Sequence, residues 1–144
     1  MFILVIDGQS GGIGRSLIEK LKAALPDDAD VTIGAAGTNY GATANMVKGG
    51  ASFGATGDNA IVFNAAKADI ILGPVGIVMA NAIHGEISPA VAAAITSGDA
   101  KLILVATNKW RALLAGLPEK KISEYVADAV QLTLNALKEK SGLC

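Results

Sequence analysis

The residues best suited to chemistry stand at the start of the chain. A five-residue apolar run, Phe2 to Ile6, stops at Asp7, and Gly8-Gln9-Ser10-Gly11-Gly12-Ile13-Gly14 follows before an amphipathic segment of helical spacing. A strand, a glycine-rich turn and a helix form the arrangement in which backbone N–H groups and the positive helix end hold a phosphate. Asp7, closing the strand, can orient a ribose or accept a proton. It can equally accept hydrogen bonds from the N–H groups of the turn. The other acid–base candidates are His84 and Glu86, in Asn81-Ala82-Ile83-His84-Gly85-Glu86. A His–Glu couple can move a proton, whereas a loop histidine is more often only hydrogen-bonded. With one histidine, one cysteine (Cys144) and scattered carboxylates, spacing assembles no metal-ligand cluster, so no metal is expected.

The spacing Gly8-x-x-x-Gly12-Ile13-Gly14 resembles the NAD(P) pyrophosphate loop of short-chain dehydrogenases. The companions of that loop are absent. Ala35-Ala36-Gly37-Thr38-Asn39 offers neither a carboxylate for a ribose 2′-hydroxyl nor an arginine for a 2′-phosphate. No Tyr-x-x-x-Lys exists, since Tyr40 is followed by Ala44 at that spacing and Tyr125 by Ala129. Ser10 to Ser16 is similar to the deviant P-loop of ParA/MinD-type ATPases, with Arg15 in the place of lysine. A P-loop lysine acts as a compact charge that arginine does not reproduce. The strand-ending aspartate for Mg²⁺ is missing too, because Asp69 begins its strand and Gly73-Pro74 ends it. Hydride transfer and ATP hydrolysis are both disfavoured, while Arg15 and Ser16 can still reach a phosphate from the first turn.

The elements that must position these residues alternate in type. Apolar strands are expected at Phe2–Ile6, Val31–Ala35, Asp69–Leu72 and Lys101–Ala106, with Arg111–Ala115 as a possible fifth at an edge. Helical spacing covers Ile13–Leu25, Tyr40–Lys48, Asp58–Lys67, Pro89–Thr96 and Ile122–Lys138. Ser88 reads as an N-cap before Pro89. Ser123 or the preceding turn begins the last helix, and Gly142 follows it. Continuous rather than alternating strands between helices predict a three-layer α/β, Rossmann-like fold, its parallel sheet of four or five strands covered on both faces. Ligands of such sheets lie outside the carboxyl ends of the strands. Those ends carry Asp7-Gly8, Gly34 to Asn39, Gly73-Pro74 and Thr107-Asn108. A second glycine turn, Gly54-Ala55-Thr56-Gly57-Asp58-Asn59, precedes a helix. The expected binding set is therefore Gly8 to Gly14 with Thr38, Asn39, Thr56, Asn59 and Asn108.

Composition narrows the partners. The chain has 144 residues, a length suited to one domain across 1–144, and 51% of them are apolar against 17% charged. A net charge of −1 gives no footprint for nucleic acid or an anionic membrane, and Lys109-Trp110-Arg111 is too small a cluster to alter that. Phe2 to Ile6 is too short for a signal peptide, and the apolar tract Ile70 to Ile83 falls below the ~20 residues of a membrane helix. A cytoplasmic location is the expectation. The stripe Ile122/Val126/Val130/Leu134 makes a homo-oligomer plausible if the chain cannot cover it alone.

One resemblance spans most of the sequence. Val5-Ile6-Asp7-Gly8-Gln9-x-Gly11-Gly12-Ile13-Gly14, Gly37-Thr38-Asn39, Gly54-Ala55-Thr56-Gly57-x-Asn59-Ala60-Ile61-Val62, Ala68-Asp69-Ile70-Ile71-x-Gly73-Pro74 and Gly85-Glu86-Ile87-x-Pro89-Ala90 resemble an uncharacterised bacterial domain-of-unknown-function family. The resemblance implies small bacterial cytosolic proteins with a Rossmann-like fold. No activity is assigned to that family, so it brings no catalytic residues. The functional expectation is a binder of a nucleotide, a dinucleotide or another small phosphorylated ligand. The alternatives are a small transferase or hydrolase on a phosphorylated substrate, using Asp7 or His84/Glu86, and a structural homodimer with no ligand.

Overall fold

The computed structural model describes residues 1–107 and 112–141, so Asn108, the Lys109-Trp110-Arg111 cluster, Gly142 and Cys144 lie outside the described residues. Its elements are β1 (Phe2–Asp7), α1 (Gly12–Ala24), β2 (Thr32–Gly37), α2 (Tyr40–Lys48), β3 (Phe53–Thr56), α3 (Asp58–Ala65), β4 (Ile70–Pro74), a 3₁₀ turn (Val75–Val78), α4 (Pro89–Ser97), β5 (Lys101–Val105) and α5 (Ile122–Lys140). The strands pair in parallel in the order β3-β2-β1-β4-β5. Parallel neighbours need a crossover between them, and the helices supply it.

The central strand explains the opening apolar run. Ile3 and Val5 enter a core shared with Leu17, Ile18 and Leu21 of α1 and Val126 of α5, while Leu4 and Ile6 enter a second core with Ile61, Val91 and Ile95 of α3 and α4. All four β1 side chains are fully buried. Each such burial is worth about 1.5–3 kcal/mol. The result is the three-layer α/β, Rossmann-like fold expected, with α1, α2 and α5 on one face of the sheet and α3 and α4 on the other.

One expectation about the elements needs correction. The fifth strand is not Arg111–Ala115: residues 112–115 form no strand, and Arg111 lies outside the described residues. It is β3, which overlaps the stretch read as a glycine turn, and it pairs Gly34 with Phe53 and Gly37 with Thr56. Gly54 lies under α2, where a Cβ would meet Val47 Cγ2 at 2.6 Å and Thr43 Cγ2 at 2.7 Å. The glycine thus serves close helix–strand packing, not a turn. On the α5 stripe, Val126 and Val130 are buried and Leu134 packs against the same core, while Ile122 at its start is 38% exposed.

Boundaries shift by small amounts elsewhere. The second strand extends to Gly37, the helix from Asp58 ends at Ala65, and α5 continues to Lys140 from an N-cap at Lys121 rather than Ser123. Ser88 caps α4 as expected, accepting the Val91 N–H at 3.2 Å. Among the described residues no helix is long and apolar enough to cross a membrane.

Candidate functional site

Asp7 organises the opening loop. It is 5% exposed, with Oδ1 accepting the Gly8 N–H and Oδ2 the Gly14 N–H, both at 2.8 Å. The turn closes through Gly11 N–H to the Gly8 carbonyl at 2.9 Å, and α1 begins with Arg15 N–H to the Gly11 carbonyl at 2.9 Å. The two Asp7 bonds tie the loop to the end of β1. The glycines divide by role. Gly11 has φ +74°, and a Cβ there would lie 2.6 Å from the Ala42 carbonyl oxygen. Gly14 abuts Met46 and the Asp7 Cβ. At Gly12 the nearest neighbour of an added Cβ is Ser10 Oγ at 3.5 Å, an ordinary contact, so this position faces open space.

That space is a cleft of about 330 Å³. Gly8, Gln9, Ser10, Gly12, Ile13 and Ser16 form one wall with Asp7 at its base, and Pro74 stands at the end of β4. Thr107, just past β5, completes the rim with Ile83 and with Ile122, Ser123 and Val126 of α5. The strand order reverses between β1 and β4, the point where open α/β sheets take their ligands. Both helices that begin here do so without a side-chain cap, α1 at Gly11 and α5 at Lys121. Among the described residues, the Thr107 hydroxyl is the buried side-chain polar atom with no hydrogen-bond partner.

The β2 side of the same edge is built differently. Glu86 Oε1 accepts from Thr38 Oγ1 at 2.5 Å, Asn39 Nδ2 at 2.9 Å and the Gln9 N–H at 3.1 Å. Asn39 also caps α2 by accepting the Ala42 N–H at 2.9 Å, and its amide donates to the Gln9 carbonyl at 3.0 Å. Burial of Glu86 would raise its pKa, but the hydrogen bonds from Thr38, Asn39 and Gln9, with the nearby His84, outweigh it and hold the carboxyl below its ordinary value. The loop presenting Glu86 runs through positive φ at Asn81 (65°), Ile83 (57°) and His84 (52°). Such conformations are uncommon outside glycine, and buried Ile83 and Ile87 anchor them here.

The remaining candidates fall outside the cleft. Thr56 donates to Thr43 Oγ1 at 2.8 Å, tying β3 to α2. Asn59 is exposed on α3. Arg15 is engaged by Glu19 at 2.7 Å and Asn45 at 2.8 Å. Among the described residues, no group of three His, Cys, Asp or Glu side chains is placed to hold a metal.

The family described as "Domain of unknown function (DUF3842)" matches residues 2–138. The chain belongs to the DUF3842 family. No curated protein matches it. Among solved structures, the chain is similar to an FMN-dependent cysteine decarboxylase from thioviridamide biosynthesis, at 15% identity and a TM-score of 0.46, covering 97% of this chain and 85% of that one.

In this DUF3842 domain, then, Asp7, Gly8, Gln9, Ser10, Gly12 and Ile13 meet at one cleft, with Gly11 and Gly14 shaping the loop from behind. Thr38 and Asn39 are drawn to Glu86, and Thr56 and Asn59 stand apart. Sequence reasoning missed the opposite wall. Thr107 had a signal, its place at a strand's carboxyl end. Ile122 and Ser123 had none, because the return of α5 to the edge is a matter of tertiary packing.

Proposed function

We propose that this protein binds a nucleotide or other small phosphorylated molecule, its phosphate seated at the Gly8–Ile13 end of α1. The observation that carries this reading is the cleft at the β1/β4 switch point, onto which the uncapped start of α1 opens. Asp7 takes the Gly14 N–H and Gly11 takes that of Arg15. The amides of Gly12 and Ile13 cannot be satisfied within the helix, so they remain for an anion. The helix dipole adds roughly half a positive charge, and Ser10 and Ser16 add hydroxyl donors. Thr38 and Asn39 support the loop in this scheme, and Asn108 is left out of the contact set. The transferase or hydrolase alternative has weaker footing. Each Asp7 oxygen already accepts a backbone N–H, and Glu86 is held by three donors outside the cleft.

Thermal unfolding against NAD(H), NADP(H), ATP, GTP, FMN, cyclic nucleotides and sugar phosphates tests the proposal. A ligand at 100 times its dissociation constant adds ~2.7 kcal/mol, a shift on the order of 10 °C. Gly12→Val fills the space before α1 and is expected to abolish that shift. A panel that leaves the melting point unmoved refutes the reading. A shift that survives Gly12→Val moves the phosphate away from the opening loop.

A further inference from the structure

The proposed phosphate site occupies only one wall of the cleft. We propose that the opposite wall is a second acceptor-binding subsite, and that the ligand is a small phosphorylated carboxylic acid rather than a dinucleotide. This rests on the phosphate reading above and extends it. Three observations point the same way.

The first is the start of α5. Its N-cap is Lys121, a residue whose side chain has no acceptor, and the Glu124 and Tyr125 N–H groups both bond to the Lys121 carbonyl, at 3.0 and 3.2 Å. Ile122 and Ser123 line the cleft, and their amides are those the helix cannot satisfy. The second observation is independent of any helix end. Thr107 lines the cleft at 4% exposure, and its hydroxyl oxygen is shielded from solvent with no partner among the described residues. Buried hydroxyls are ordinarily hydrogen-bonded, so this one lacks the group that would complete it. The third is the character of the cleft between the two ends. Pro74, Ile83 and Val126 give it an apolar surface there, and no lysine or arginine among the described residues lines it.

Together these describe a ligand with an anion at each end and a short carbon body between them. The α1 amides suit the doubly charged phosphate. The α5 amides and Thr107 suit a planar carboxylate, which takes two N–H groups and a hydroxyl without a cationic partner. A volume of about 330 Å³ lies at the small end of small-molecule clefts, too little to enclose a dinucleotide.

Titration calorimetry on the full chain decides it, using 3-phosphoglycerate, the carboxylate-free glycerol 3-phosphate and NAD⁺ as probes. We expect 3-phosphoglycerate to bind about tenfold tighter than glycerol 3-phosphate. Thr107→Val keeps the shape of the side chain and puts a methyl group in place of the hydroxyl. Ser123→Pro removes an amide N–H at a first-turn position where proline is tolerated. Each variant should erase most of the carboxylate advantage while leaving glycerol 3-phosphate binding unchanged, and Gly12→Val should abolish both. Equal affinity for the two monophosphates, an advantage that survives both variants, or tighter binding of NAD⁺ would overturn this inference and leave the phosphate reading standing. Failure of both monophosphates to bind also overturns this inference alone, whereas binding indifferent to Gly12→Val overturns the two together.

Discussion

The two halves of the sheet's carboxyl edge treat their polar groups in opposite ways. On the β2 side the chain itself supplies acceptors for the polar groups at the strand end. Asn39 caps α2, and Glu86 gathers the Thr38 hydroxyl, the Asn39 amide and the Gln9 N–H. On the β4–β5 side the N-cap residues Gly11 of α1 and Lys121 of α5 give no side-chain cap, Asp7 takes only the Gly14 N–H of the first turn of α1, and the Thr107 hydroxyl has no partner among the described residues. The chain uses acceptors well where it has them, so their scarcity at the cleft marks where an outside acceptor adds most. α3 also starts uncapped, at Gly57, but nothing lies within 4 Å of a Cβ built there, and water can serve that end.

The contrast can be broken most severely at Gly11. Gly11→Ala forces a side chain into the left-handed region and against the Ala42 backbone. It should cost about 2–4 kcal/mol in urea unfolding. On the satisfied side, Asn39→Ala removes the α2 cap and two bonds to the loop, and about 1–2 kcal/mol of stability should go with it in the same assay. Lys121→Asp reverses the contrast by supplying α5 with the acceptor it lacks. The unliganded protein should gain about 0.5–1 kcal/mol, while 3-phosphoglycerate binding weakens in calorimetry.

The smallest effect concerns Glu86 and pH. The fold holds its carboxyl below the ordinary value of 4.5, so its ionised network stabilises fully above that value and fades as pH falls through the lower folded pKa. Melting curves of the protein and of Glu86→Gln, compared from roughly pH 7 to pH 3, should therefore converge at the acid end. Curves that stay equally separated at the lowest pH would show that the Glu86 charge is not what holds the loop.

Much of the architecture was legible in the residues. Phe2 to Ile6 had to be a strand buried on both faces because no alternation relieves it, and Ser88-Pro89 announced a capped helix. Pattern failed where a glycine had two possible uses. Gly54 looks like turn chemistry, yet it lets Val47 and Thr43 of α2 sit on a strand. The same limit applies to Thr38 and Asn39, expected in the binding set from their place at a strand end. Their acceptor came from Glu86, 47 and 48 residues away, and local spacing carries no trace of that.

By itself, then, the sequence determined the sheet-forming runs, the amphipathic helices between them and a glycine loop able to present amides to an anion. These depend on periodicity and backbone freedom, which act over a few residues. Only the tertiary structure decided which donors stay open. That choice depends on whether a distant segment brings an acceptor, as the Glu86 loop does, or another uncapped helix start, as α5 does.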